Sequence, residues 1–193
     1  MILDRSMPRR APFSPRATAR IAGVLYLVNI VTSLIAFSGK VGHLAAVTSG
    51  LVATASYVGV TIVLYFLFKP VNPRASLVAA LFSLAGCTVG ILNARHLLPF
   101  RVHSLVFFGI YCLMVGALIF RSTFLPKILA ACLSIAGLGW LTFVSSALAA
   151  SLSPYHYIAG GIGEGLLTLW LIIKGVDAAR WIEQACARNT VAQ

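Results

Sequence analysis

Apolar runs of about twenty residues follow one another from Ile21 to Ile173, each long enough to cross a hydrocarbon core of ~30 Å. That repetition leaves the chain little choice of fold. Of its 193 residues, 60% are hydrophobic and only 10% charged, far too little charge for the surface of a soluble domain. The reading is all-α: one polytopic membrane helix bundle with six transmembrane helices. The spans are expected at Ile21–Phe37, Leu44–Phe68, Ala75–Asn93, Ser104–Phe120, Ile128–Ala150 and Tyr155–Ile173. Turn-formers separate them: Gly39 and Gly42, then Pro70 and Pro73, Pro99, Pro126, and Pro154. Pro126 and Pro154 stand just ahead of a span, where a missing N–H is tolerated.

Charge sets the orientation. Of the fifteen Lys and Arg, only Lys40, Arg95 and Arg101 fall on one side of this arrangement. The other twelve, from Arg5 to Arg188, fall on the side of the termini, so both termini are expected in the cytoplasm of a bacterial inner membrane. The net charge of +11 then reflects topology and contact with anionic lipid at the cytoplasmic face. No aromatic-basic interleaving or helix-turn-helix pattern points to nucleic acid. Residues 1–19 are read as a basic, unfolded tail, 20–176 as the membrane domain, and 177–193 as a cytoplasmic tail. A short interfacial helix over Val176–Arg188 competes there with a frayed extension of the last span. The first span is read as an uncleaved helix, since its apolar region exceeds a signal peptide's and carries Asn29.

One residue departs from the apolar pattern. Glu164 is the only acidic side chain between Asp4 and Asp177, and it stands midway along the last span. A charge at that depth costs at least ~2.5 kcal/mol. Small and polar residues share helical faces with it and with its counterparts on other spans. Tyr157, Gly161, Glu164 and Thr168 follow steps of four, three and four, and Gly86-x-x-x-Gly90 and Gly161-x-x-x-Gly165 are expected to seat neighbouring helices. Glu164, Arg95, Asn93, Asn29, Tyr57 and Tyr111 are the candidate walls of a polar pocket, with Arg95 reaching inward as the countercharge. Two roles for Glu164 stay open: a structural contact, or a site for a small cation or lipophilic ligand.

His43, His96, His103 and His156 all fall at the ends of spans opposite the termini, a second constellation without metal-ligand spacing. No cofactor or metal is expected. Cys87 and Cys112 lie at similar depth on consecutive spans, and all four cysteines are read as packing residues and not as disulfides. No Ser-His-Asp or Cys-His set marks an enzyme. A membrane-embedded enzyme using Glu164 as acid or base, and a non-catalytic partner subunit, remain alternatives to ligand binding or transport. The Gly faces permit self-association into a homo-oligomer.

The stretches Arg20–Leu27, Leu64–Asn72, Val106–Gly109, Phe120–Pro126, Ala136–Trp140 and Gly163–Val176 resemble the domain of unknown function 4386 family, uncharacterised bacterial membrane proteins of six helices. The resemblance covers most of Arg20–Val176, and its most specific stretch contains Glu164. It implies an integral membrane protein with this helix order and supplies no activity. The family pattern commonly has His where this chain has Tyr111, which weakens any shared histidine chemistry in the fourth span.

Overall fold

The computed structural model describes residues 14–97 and 102–191. In chain order the helices are α1 (Pro15–Phe37), α2 (His43–Phe68), α3 (Pro73–Ala94), α4 (Ser104–Arg121), α5 (Lys127–Leu141), α6 (Ser146–Ser151), α7 (Tyr155–Ile173) and α8 (Ala178–Val191). Among the described residues there is no strand. Six segments are long and apolar enough to cross a membrane: α1, α2, α3, α4, α5 with the turn that follows it, and α7. The fold is the six-span helical bundle that the apolar runs imply. Arg5, Arg9, Arg10, Pro99 and Arg101 lie outside the described residues.

Local chemistry sets the boundaries. The Asn72 side chain accepts the Ala75 N–H at 3.0 Å, and Pro73 supplies a pre-set first turn for α3. The same device starts α1 early. Pro15 is its first residue and Ser14 its extended N-cap, so Pro15–Ala19 are helical where an unfolded tail was expected. The fifth span also differs from expectation. It does not run unbroken to Ala150 but tightens into a 3-10 turn over Thr142–Val144. There the Thr142 hydroxyl donates to the Gly139 carbonyl at 2.7 Å, and Ser145 turns extended to cap α6. A hydroxyl bonding back to its own turn competes with regular helix, which a count of apolar residues does not register.

Beyond Ile173 the chain turns sharply. Gly175, at φ +68°, gives its N–H to the Trp170 carbonyl at 3.0 Å, a left-handed C-terminal turn that only glycine adopts cheaply. Asp177 then caps α8, its carboxylate accepting the Ala179 and Arg180 N–H groups at 3.1 and 3.2 Å. Helix α8 is therefore a separate element and not a frayed extension of α7. It is strapped across the loops at the terminus-bearing end. Trp181 donates to the Leu67 carbonyl at 2.8 Å, the Thr123 N–H donates to Gln184 at 3.1 Å, and Arg188 donates to the Lys69 carbonyl.

The six spans close into a ring. Helix α1 packs on α2, α2 on α3, α3 on α4, α4 on α5, α5 on α7, and α7 back on α1. Lipid tails are as apolar as leucine, so close approach rather than hydrophobicity drives these contacts. At the α4–α5 crossing, a Cβ on either Gly109 or Gly137 would come within 2.8 Å of the other's carbonyl oxygen. The α5–α7 crossing depends on Gly163, whose missing Cβ would strike the Cys132 carbonyl and Ala136. The expected Gly86–Gly90 face does meet α4, at Phe108 and Ser104. Gly161 and Gly165 do not behave as expected: a Cβ on either would touch nothing within 4 Å. The buried face of α7 is instead His156, Gly160, Gly163, Leu167, Thr168 and Leu171, so Thr168 of the expected stripe is inside while Gly161 and Gly165 are not. Both registers have helical spacing, and only the partner's position selects between them.

Gly163→Val is expected to destabilise the bundle by ~1–3 kcal/mol through overpacking, while Gly161→Val leaves thermal unfolding in detergent near wild type. Equal losses for the two variants would contradict this assignment of the α7 faces.

Candidate functional site

Glu164 is the tenth of the nineteen residues of α7, and its carboxylate is the meeting point of three helices. Its Oε1 accepts the indole Nε1–H of Trp140 at 2.6 Å and the thiol of Cys112 at 3.7 Å. The first contact follows from a gap one turn away. Residues four apart stack on the same helix face, so Gly160 sits directly before Glu164. A Cβ at Gly160 would collide with the Trp140 ring. The missing side chain therefore makes the slot through which the indole from α5 lies against α7 and reaches the carboxylate. The backbone beside it is also braced, as the Thr168 hydroxyl donates to the Glu164 carbonyl at 2.7 Å.

Three tyrosines fill the centre of the ring behind this pair. Tyr57 of α2 stands between Tyr26 of α1 and Tyr111 of α4, with ring centroids 5.7 and 5.9 Å away in edge-on geometry. Phe108 packs on the same ring at 4.7 Å. All three tyrosines are buried, and the hydroxyls of Tyr26 and Tyr111 have no hydrogen-bond partner among the described residues. The Tyr26 hydroxyl lies close to both Glu164 and Tyr57 without closing a bond to either. Tyr111 similarly lies close to Thr61. Thr61 gives its one hydroxyl proton to the Tyr57 carbonyl at 2.9 Å, so in its contact with Ser83 of α3 the serine is the donor. A cavity of about 10 Å³ beside Thr61, Ser76 and Tyr111 is the size of a single water.

Of the residues predicted from sequence, the fold brings together Glu164, Tyr57 and Tyr111. The other three serve elsewhere. Asn29 clamps α1 to α2 by donating to the Ala53 carbonyl at 3.0 Å. Asn93 ties the end of α3 to the segment before α4 by donating to the Val102 carbonyl at 2.7 Å. Arg95, the C-cap of α3, is exposed and makes no ion pair among the described residues. The expected Arg95–Glu164 countercharge fails for a topological reason: α3 packs on α2 and α4, whereas α7 is flanked by α5 and α1. Trp140, Cys112 and Tyr26 are the partners sequence reasoning missed. The Gly160–Glu164 spacing carried a signal for an aromatic partner, but nothing in the chain said from which helix it would come.

The histidines divide. His103 and His156 flank the Phe143 ring, with centroids 4.5 and 4.8 Å from it, while His43, the first residue of α2, and His96, just beyond α3, are exposed. His156 is buried, and neither ring nitrogen has a partner among the described residues. Among those residues no group of three or more His, Cys, Asp or Glu is placed to hold a metal ion. All four cysteines are free.

A family model described as Domain of unknown function (DUF4386) matches residues 100–175. An uncharacterized protein of the archaeon Archaeoglobus fulgidus is 32% identical over 127 residues, which cover 61% of this chain and 76% of that protein. The chain belongs to the DUF4386 family. No solved structure matches it. Within this DUF4386 protein the matched residues run from α4 through α7, so Cys112, Trp140 and Glu164 lie inside the match while Tyr26 and Tyr57 lie outside it.

Trp140→Phe keeps an aromatic ring and removes the indole donor, leaving a part-buried carboxyl oxygen short of its main partner. The expected loss of stability is ~1–3 kcal/mol. In a double-mutant cycle with Glu164→Met, which removes the acceptor, a coupling of about 0.6–1.7 kcal/mol is expected, the range of hydrogen bonds between membrane helices. Additive losses would show that the two side chains do not interact in solution.

Proposed function

We propose that this DUF4386 protein is a small proton-exchanging membrane protein, with Glu164 as the group that takes up and releases the proton. The reading rests on one observation above all. A mid-span carboxyl is held by an indole N–H and a thiol, with no cation beside it among the described residues, and it is backed by buried tyrosine hydroxyls that lack partners. A purely structural acid would be satisfied by an arginine or by a closed set of donors, because unsatisfied polar atoms in an apolar interior are costly. Buried groups left short of partners at an intramembrane acid are what a relay needs, since a hydroxyl or a single water must be free to accept on one side and donate on the other. The packing around the carboxylate also limits the cargo. With Trp140 at 2.6 Å and Cys112 at 3.7 Å, the exchanging species is a proton, not a bulky ion.

A second reading draws on the open strip at Gly161 and Gly165, which leaves the flank of α7 next to Glu164 uncovered. A lipophilic molecule with a hydrogen-bonding head would approach along that strip from the bilayer. The concentration of Lys and Arg at the terminus-bearing end supports cytoplasmic termini and, in a bacterium, an inner-membrane location.

The test is proton flux into proteoliposomes under an imposed potassium diffusion potential, read with an enclosed pH-sensitive dye. Wild type should exceed protein-free vesicles, Glu164→Gln should fall at least about ten-fold toward them, and Glu164→Asp should keep part of the flux. Flux in Glu164→Gln equal to wild type, or wild type no faster than empty vesicles, would rule out the proton reading.

A further inference from the structure

A second pocket lies at the other functional depth of the molecule, where the spans leave the hydrocarbon at the terminus-bearing end. It has a volume of about 310 Å³, the low end of the ~300–1,000 Å³ typical of ligand sites. Its polar rim carries Arg16, Lys174, Arg180 and Asp177, and its apolar side is made by Phe124, Leu125 and Trp170. At ~1.5 Å of rise per residue, Lys174 stands ~15 Å along α7 from Glu164, so this pocket and the carboxyl site are separate.

The elements that build it explain why the cations converge. Gly175, at φ +68°, turns the chain beyond α7 into ordinary contact with the Arg16 backbone in the first turn of α1. Arg16 stands one residue inside α1 and Lys174 one residue beyond α7, so both leave the bundle at the same level. Arg180 is already engaged. It pairs with Asp177 at 3.5 Å and donates to the Thr123 carbonyl at 3.4 Å. That pair is the only ion pair among the described residues. Arg16 and Lys174 line the same pocket, are exposed, and form no ion pair among the described residues, so beside the Arg180–Asp177 pair the rim carries two cations in excess.

We propose that this pocket holds the phosphate head of an anionic membrane phospholipid. Two cations at helix-end level match a phosphate drawn from the headgroup layer, and basic pockets between helix ends are a recognised form of lipid site. The apolar half selects a lipid over a soluble anion. Phe124 and Leu125, buried in the α4–α5 connection, form only the floor, and the partly exposed Trp170 stands one turn inside the end of α7, at the depth where amphipathic rings meet glycerol and upper acyl chain. A bound lipid would bridge α1, α7 and the α4–α5 connection.

The experiment uses full-length protein purified in neutral detergent. Phosphatidylglycerol or phosphatidylcholine of the same acyl chains is added, with native mass spectrometry counting retained lipid and thermal unfolding reporting stabilisation. Wild type is expected to retain phosphatidylglycerol and gain stability from it, with neither effect from phosphatidylcholine. Arg16→Gln/Lys174→Gln should bind phosphatidylglycerol about ten-fold or more weakly, while Arg74→Gln, a cation at the same end outside the pocket, should bind as wild type does. Should the double variant not fold, Lys174→Gln alone carries the test, with a loss of about three-fold or more expected. Retention by the pocket variants at wild-type level, or an equal loss in Arg74→Gln, overturns the site. Stabilisation by millimolar inorganic phosphate equal to that by phosphatidylglycerol overturns the lipid assignment in favour of a free-phosphate site.

Discussion

Hydrocarbon offers a helix neither a hydrogen bond nor a hydrophobic reward for leaving lipid, and the rest of this structure depends on that constraint. Each span satisfies its own backbone internally, so the ring closes only where two helices can approach to near backbone contact. Gly109 against Gly137 and Gly163 against the Cys132 carbonyl are those places on one side of the ring, and Gly23 against α7 is another. The crossings fix which side chains are driven to the centre. Polar groups at the centre must then find partners among themselves, because neither water nor lipid supplies them.

The carboxyl site is a consequence of these crossings. Absence of a side chain at Gly160 admits the Trp140 indole, the indole meets Glu164, and the tight α4–α5 crossing brings Cys112 to the same oxygen. The tyrosines complete the interior but leave hydroxyls over. Tyr57 is locked edge-on by three aromatic neighbours, so it acts as a spacer that holds Tyr26 and Tyr111 apart. The two unpartnered hydroxyls lie by different neighbours: Tyr26 near Glu164, and Tyr111 near Thr61 and the water-sized cavity.

The terminus-bearing end is organised by different physics, because water and headgroups are available there. Caps, a glycine turn and backbone carbonyls tie α8 beneath the loops, and charge is paired between Asp177 and Arg180 or left without an ion pair at Arg16 and Lys174. At the opposite end an aromatic group replaces charge. Phe143 sits between His103 and His156 in the 3-10 turn that interrupts the fifth span, so that local break is what places the two histidines around one ring.

How much of this was legible follows from the range over which each signal acts. Span number, most span limits, and the isolation of Glu164 are properties of consecutive residues, so hydropathy and punctuation determined them. The start of α1 and the break after Leu141 were missed because single residues, Pro15 and Thr142, outweigh the average of their neighbours. The site was half legible. Glu164, Tyr57 and Tyr111 were identifiable as polar residues too expensive for lipid, but so were Asn29 and Asn93, which the fold uses as interhelical clamps. Which helix stands beside which was decided only by tertiary structure: it kept Arg95 from Glu164, brought Trp140 there instead, and chose Gly160 and Gly163 over Gly161 and Gly165. The sequence alone determined what must be buried from lipid, because that cost belongs to each residue; only the closed ring decided what each meets, because a contact belongs to two helices at once.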